Sequence, residues 1–259
     1  MTTRTDDTAL VQLLSQLARK AGAAAMTIYA KEIAVAAKRD ASPVTEADRL
    51  GEEIILKGLA EIAPQIPVLA EEAASSGDIP ELGDEFFLVD PLDGTKEFIS
   101  KTGEFTVNIA LVRNGAPVVG VVFAPALEKL YSGIVGDGAY LSVDEDAPAP
   151  IKARKTPEKN LVAVASRSHR SPETDAFLET LDIADFAAAG SSLKFCLIAE
   201  GAADVYPRLG RTMEWDTGAG QAVLEAAGGR VHVFGSDTPL RYGKKERGYD
   251  NPHFIAWGA

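Results

Sequence analysis

The stretch Asp90-Pro91-Leu92-Asp93-Gly94-Thr95 follows directly on the apolar run Phe86-Phe87-Leu88-Val89. Two carboxylates at the mouth of a buried strand suit a hard cation. A Gly-Thr pair opening a short helix, Lys96 to Ser100, offers free N–H groups to an anion. Strand ends are also where α/β folds place ligands. Pro91 removes one donor and fixes its own φ, which stiffens the turn between the acids. Cation ligands beside anion ligands point to metal-assisted phosphate chemistry. An Asp-rich turn with Asp93 or Thr95 as helix cap accounts for the same residues.

Two more acids fall at the edges of expected elements. Glu71, followed by Glu72, ends the run Pro67-Val68-Leu69-Ala70, and Asp216 precedes a helix from Thr217. Were all four acids to converge, each pair of charges ~4 Å apart would repel by about 4 kcal/mol at an effective dielectric of ~20. Divalent cations or shifted pKa values must relieve that, and all-oxygen ligands favour Mg²⁺, with Mn²⁺ as a substitute. One cysteine and three histidines speak against zinc. Asp216 as a simple N-cap and Glu71-Glu72 as a solvated acidic loop stay open, because local spacing does not show that distant segments meet.

The elements that must position these groups read as follows. Leu10, Leu13, Leu14, Leu17, Ala18 and Ala21 recur at helical steps, so a long helix is expected from Asp7 to about Arg39. A second helix follows Ser42-Pro43, carries Asp48 in its first turn, buries Ile54, Ile55 and Leu59, and ends by Pro64. Residues 73–85 read as a loop. Phe105 to Val112 and Ala116 to Phe123 form a hairpin on Asn114-Gly115, and strands are expected at Lys129 to Val135 and Gly138 to Val143. This α+β half, residues 1–150, gives way through an Asp/Ala/Pro/Lys-rich connection to an α/β half, residues 151–259, in which strands and helices alternate. Asp90 and Asp93, two residues apart in between, are not expected to point the same way from an extended strand.

The net charge of −12 argues against a nucleic-acid polymer or an anionic membrane as partner but leaves room for a small anionic substrate. The polar start Met1-Thr2-Thr3-Arg4 shows no signal-peptide plan, and the longest apolar stretch, broken by Pro117, Gly120 and Pro125, is too short to span a bilayer. A cytoplasmic monomer or homodimer is the expectation, and the lone Cys196 fits a reducing compartment. Cys196 falls with Leu193, Leu197 and Ile198 on an apolar helix face and reads as packing, as does Trp215. Lys194 stands in the first turn of its helix, where a cation is disfavoured unless an anion binds nearby, beside Ser191 and Ser192; the two serines capping that helix, with a solvated lysine, is the plainer account.

Glu71-Glu72, Asp90-Pro91-Leu92-Asp93-Gly94-Thr95 and Glu214-Trp215-Asp216-Thr217-Gly218-Ala219-Gly220 occur in the order and at the separations of the inositol monophosphatase superfamily, which the chain resembles over nearly its whole length. Thr95-Lys96-Glu97-Phe98, Gly103-Glu104-Phe105-Thr106-Val107-Asn108, Gly190-Ser191-Ser192-Leu193-Lys194-Phe195-Cys196 and Tyr206-Pro207-Arg208 are most similar to its bacterial 3′(2′),5′-bisphosphate nucleotidase branch. The loop from Ala73 to Asp84 is the least family-like part.

The resemblance implies a layered αβαβα sandwich of the inositol monophosphatase/fructose-1,6-bisphosphatase type. It implies two or three Mg²⁺ ions on Glu71, Asp90, the Leu92 carbonyl, Asp93 and Asp216, and inhibition by Li⁺. Gly94 and Thr95 would present N–H groups to the scissile phosphate, and Thr95 with Asp48 would orient and deprotonate the attacking water. One metal would lower the pKa of that water and another offset charge on the departing oxygen. Ser166 and His169 would lie near the nucleotide, with Gly190, Ser191, Ser192, Lys194 and Arg208 toward its 5′-phosphate. A first-turn helix acid is the alternative for Asp48, a surface residue for His169 and an ordinary ion pair for Arg208.

The implied reaction converts adenosine 3′,5′-bisphosphate to AMP and phosphate, clearing a by-product of sulfate assimilation. Inositol 1-phosphate and fructose 1,6-bisphosphate are rival substrates. A haloacid-dehalogenase-type aspartyl-phosphate mechanism and a nucleotide sensor without turnover are the readings from other classes.

Overall fold

The computed structural model describes residues 6–30, 36–37, 43–44, 46–144, 146–165 and 171–259. Helix α1, Asp7–Tyr29, starts where the Asp6 side chain accepts the Thr8 N–H, and stops at Ala30, nine residues short of the expected Arg39. Residues 31–35 and 38–39 of that expectation lie outside the described residues; Ala36–Ala37 (β1) pairs instead with Pro43–Val44 (β2). Helix α2 spans Glu46–Ile62. Strand β3, Val68–Ala70, leads straight into α3, Glu71–Ser76, so the expected loop begins only at Gly77.

Strands β4 (Glu85–Asp93), β5 (Thr106–Arg113), β6 (Ala116–Ala124), β7 (Lys129–Ile134), β8 (Gly138–Val143) and β9 (Ala149–Ile151) complete, with β3, a seven-stranded sheet in the order of the chain. The short helix α4, Thr95–Ile99, lies between β4 and β5. Asn114 and Gly115 both take positive φ, 51° and 73°, as the hairpin between β5 and β6 requires.

Beyond β9 come β10 (Leu161–Ala165), α5 (Pro172–Leu178), β11 (Ile183–Ala188), α6 (Leu193–Ala199), β12 (Val205–Arg208), α7 (Gly218–Ala226), β13 (Arg230–Val233) and β14 (Phe254–Trp257). The five strands pair in the order β11-β10-β12-β14-β13. The antiparallel β14 was not expected from the sequence.

The faces of the central strands dictate the layering. Phe87 and Val89 of β4 with Val107, Ile109 and Leu111 of β5 pack against Leu10, Leu14 and Leu17 of α1 and Ile55 and Leu59 of α2. The alternate residues, Phe86, Leu88, Ala110 and Val112, join Phe195 and Ile198 of α6, Val223 and Leu224 of α7, and Tyr206 and Phe254 of the second sheet. That sheet's far face, with Ala163, Val205 and Ile255, packs on Leu178 of α5. A strand buried on both faces must be apolar at every position, which is why β4 reads Phe-Phe-Leu-Val. The order of layers is α1α2, seven strands, α6α7, five strands, α5, the expected αβαβα sandwich.

Candidate active site

The two acids of the opening motif lie on one face of the sheet, against expectation, because β4 bulges between them. Asp90 pairs with Asn108 and Asp93 with Thr106, so three steps on β4 match two on β5. The extra residue restores Asp93 to the face of Asp90, the one turned toward α6 and α7. Pro91 lacks the N–H a regular ladder would demand, and the Leu92 N–H donates to Asp90 Oδ1 at 3.0 Å.

Gly94, at φ 94°, turns the chain from the strand into α4, a conformation that favours glycine. Neither Asp93 nor Thr95 caps that helix through its side chain. Thr95 is committed elsewhere: its hydroxyl lies 3.4 Å from both Asp48 Oδ1 and the Leu92 carbonyl.

Asp48 reaches the site from α2, where Asp48, Glu52, Ile55 and Leu59 form one buried stripe at helical spacing. The stripe is apolar at its far end and acidic at the end facing β4. Glu52, overlooked in the sequence, accepts the N–H groups of Glu72 and Ala73 at 2.7 and 2.8 Å. It caps α3 from outside and so sets where Glu71 begins. An acid in the middle of a helix's apolar stripe was the signal for it.

Asp216 does not cap α7, since Thr217 holds that position. Its Oδ2 accepts the Met213 N–H at 2.8 Å, which turns the carboxylate back over its own loop. The fully buried Glu214 clamps this loop. Its carboxylate accepts the N–H groups of Gly243 and Lys244 at 2.7 and 2.8 Å and pairs with the Lys244 ammonium at 2.7 Å.

Burial first, and then the charges of Glu71, Asp93 and Asp216, push Asp90 well above the usual carboxylate range. Asp216 is raised in the same way by burial, Asp93 and Glu71. The four acids from three remote segments therefore share one electrostatic field. Among the described residues, no three acidic, histidine or cysteine side chains form a closed ligand shell as they stand. The carboxylate oxygens rest on protein donors: Asp93 Oδ2 lies 2.5 Å from Ser191 Oγ, 3.2 Å from Ser192 Oγ and 3.5 Å from Asn108 Nδ2.

Lys194 is buried rather than solvated, with its ammonium donating to the Ser191 carbonyl at 2.7 Å and lying 5.5 Å from the Tyr206 ring centre. Burial, and then the Arg208 charge, lower its pKa to about 8, against the pull of Asp93, Glu97 and Glu104. The helix-capping account of the serines fails, since Ser192 makes no side-chain cap bond. Gly190 is a close-approach position: a Cβ there would lie 2.5 Å from the Glu104 carbonyl oxygen. Arg208 donates to the Arg211 carbonyl at 3.0 Å, while its Nε is buried without a hydrogen-bond partner among the described residues. Ser166 and His169 lie outside the described residues. Cys196 and Trp215 are core, as expected. No described helix is long and apolar enough to cross a membrane.

The five-layered sandwich thus carries four acids in one field around a bulged strand end, with a threonine–aspartate pair beside them. The chain belongs to the inositol monophosphatase family, whose model matches residues 6–252. It is 43% identical over 247 residues to the 3′(2′),5′-bisphosphate nucleotidase CysQ of Salmonella typhimurium, covering 95% of this chain and 98% of that one. Among solved structures it is similar to CysQ from Bacteroides thetaiotaomicron, with a TM-score of 0.80, 38% identity and coverage of 96% and 97%. It is also similar to an IMPase from Thermotoga maritima, with a TM-score of 0.79, 25% identity and coverage of 96% and 92%.

Proposed function

We propose that this protein is a Mg²⁺-dependent phosphatase that hydrolyses the 3′-phosphate of adenosine 3′,5′-bisphosphate to AMP and phosphate, in the cytoplasm, as part of sulfate assimilation. The near full-length identity to bisphosphate nucleotidases carries the reading, and the shared field of four acids around the β4 bulge supports it. Mn²⁺ is the expected substitute ion and Li⁺ the expected inhibitor.

The donor set fits two or three hard divalent cations. It is all oxygen, it carries surplus negative charge, and burial and mutual repulsion already disfavour the ionised state of Asp90 and Asp216. Glu71, Asp90, the Leu92 carbonyl, Asp93 and Asp216 would hold the ions. Bound there, the ions would supply positive charge against the attacking water and the departing ribose oxygen.

The chain's own groups do the rest. Gly94 and Thr95 turn N–H groups toward the phosphate. The Thr95 hydroxyl takes a proton from the water as it passes its own to Asp48, and the new P–O bond forms as the bond to the 3′-oxygen breaks. That oxygen takes up a proton from solvent to leave as the 3′-hydroxyl of AMP, after which Asp48 returns its proton to solvent. Positioning and electrostatics suffice for such in-line transfer, with no covalent enzyme intermediate. Lys194 and Arg208, whose Nε has no hydrogen-bond partner among the described residues, are the cationic groups for the 5′-phosphate, with Gly190 shaping the wall. On this reading residues 1–150 supply most metal ligands and the water-activating pair, while residues 151–259 supply one ligand and substrate choice.

Phosphate release from adenosine 3′,5′-bisphosphate, inositol 1-phosphate and fructose 1,6-bisphosphate, each with Mg²⁺ and with or without Li⁺, is the test. The bisphosphate nucleotide is expected to turn over fastest, and a preference for either other compound rejects the assignment.

A further inference from the structure

Asp216 and Met213 clasp one another. The Met213 N–H donates to Asp216 Oδ2 at 2.8 Å, and the Asp216 N–H donates back to the Met213 carbonyl at 3.2 Å. A residue from near the other end of the chain grips the same carbonyl: Asn251 Nδ2 donates to it at 2.8 Å. That amide nitrogen also lies 3.0 Å from Thr217 Oγ1 and 3.3 Å from Thr212 Oγ1, so it touches both flanks of the turn that carries Asp216. Backbone pairing runs beside it. The Glu214 N–H donates to the Tyr249 carbonyl at 3.0 Å, and the Asn251 N–H to the Thr212 carbonyl at 2.9 Å.

Proton counting fixes how these groups are oriented. The Met213 carbonyl only accepts, so the NH₂ of Asn251 faces it, and the two amide protons go to the two nearer oxygens, Met213 O and Thr217 Oγ1. Gln221 Nε2 faces two acceptors, Glu225 Oε1 at 2.8 Å and the Leu240 carbonyl at 3.1 Å. Its Oε1 therefore takes the Tyr242 proton, at 2.6 Å. Tyr242 lies 3.2 Å from Thr217 Oγ1 as well, but it has spent its one proton on α7 and gives none to the turn. Asn251 donates into the turn at both flanks; Tyr242 does not.

Asn251 is 3% exposed, and its own Oδ1 has no hydrogen-bond partner among the described residues. Buried polar atoms are seldom left so. The part of this side chain in use is its pair of donors, and both act on the Asp216 turn.

Resting on the phosphatase reading, we infer that Asn251 is a positioning residue that sets the orientation of Asp216, and so couples divalent-cation binding to the docking of the segment Tyr249 to Asn251. Groups that orient a metal ligand through hydrogen bonds alter metal affinity by about 10–100-fold when removed. Asn251 acts one step further out, through Met213, which places it at the lower end of that range. Linkage then requires the reverse effect: an ion held by Asp216 must steady the segment that helps to hold it.

The test is Mn²⁺ titration of the full-length protein by electron paramagnetic resonance, without substrate, for wild type, Asn251→Ala, Tyr242→Phe and Asp90→Asn. Urea unfolding of each in chelator is measured alongside. Asn251→Ala is expected to bind Mn²⁺ about 10-fold more weakly. Tyr242→Phe removes a buried hydroxyl from the same network without touching Met213, so it is expected to lose stability and keep the wild-type Mn²⁺ affinity. Wild-type affinity in Asn251→Ala overturns the inference. Equal losses in the two variants reduce Asn251 to general packing and overturn it too. Hydrogen exchange of the wild-type protein, read by NMR with and without Mg²⁺, needs no variant and decides the matter should Asn251→Ala fail to fold. Mg²⁺ is expected to slow the Glu214 and Asn251 amides more than those of the β7–β8 hairpin; an equal effect on both overturns the coupling. Failure of wild type to bind Mn²⁺, or wild-type binding by Asp90→Asn, rejects the underlying phosphatase reading instead.

Discussion

The Thr95 hydroxyl stands 3.4 Å from Asp48 Oδ1, a residue 47 positions earlier in the chain and buried at the acidic end of an otherwise apolar helix stripe. A buried carboxylate that meets a hydroxyl beside the Gly94 turn is placed to receive a proton. Replacing Asp48 by Asn keeps the shape and removes the basicity. Turnover of the bisphosphate nucleotide is expected to fall by about 10²–10⁴-fold, the usual worth of a positioned proton acceptor. Nucleotide binding, measured by calorimetry with Mg²⁺ present, is expected to persist. Retained turnover would remove Asp48 from the reaction.

The acid cluster predicts a pH dependence of stability whose sign follows from its pKa shifts. Asp90 and Asp216 are raised in the folded state above their unfolded values, so above about pH 4 these two groups hold more protons in the folded chain than in the unfolded one. Their contribution to the stability of the metal-free protein therefore falls as pH rises through that window. Mg²⁺, by taking the place of those protons, should flatten the slope. Melting curves in chelator and in Mg²⁺, from mildly acidic to mildly alkaline pH, check this; parallel curves would contradict it.

Lys194 loses its proton near pH 8, because burial and then Arg208 disfavour the ammonium. The protonated form is the one that attracts a phosphate. The ratio kcat/KM for the bisphosphate should therefore decline above about pH 8, and Lys194→Met should abolish that limb while raising KM. A substrate with a single phosphate should show no such limb. pH–rate profiles of both substrates decide the matter.

Glu214 is fully buried and pairs with Lys244 while accepting two backbone N–H groups. Glu214→Ala removes the acceptor of two backbone donors and the partner of a part-buried ammonium that keeps only the Arg241 carbonyl, so about 1–3 kcal/mol of stability should be lost. Glu214→Gln, which keeps an acceptor, should lose less. Urea unfolding of the three proteins measures the difference, and a cost below that of an ordinary surface substitution would show that the loop is not held through this carboxylate.

Much of the fold was legible because the signals are local. The β4–β5–β6 run declared itself through apolar strands and the Asn114-Gly115 turn, and α2 through a stripe at helical spacing. The end of α1 was misread because alanines continue past Tyr29 while nothing in the local pattern marks the stop. Strand β14 escaped notice because it pairs with β12 and β13, partners that its own four residues do not encode. Glu52 was overlooked because its partners, the N–H groups of Glu72 and Ala73, lie 20 and 21 residues further along the chain.

The chain alone marked Asp90 and Asp93 as candidates, since two carboxylates, a proline and a glycine at a strand end suit a cation beside an anion. Their mutual orientation was beyond it. Whether Asp90 and Asp93 share a face depends on a bulge fixed by the register with β5. Where the Ser191 hydroxyl points depends on two sheets packing across α6 and α7. Those are cooperative outcomes of burial and hydrogen bonding between segments up to 99 residues apart, and no stretch of sequence contains them.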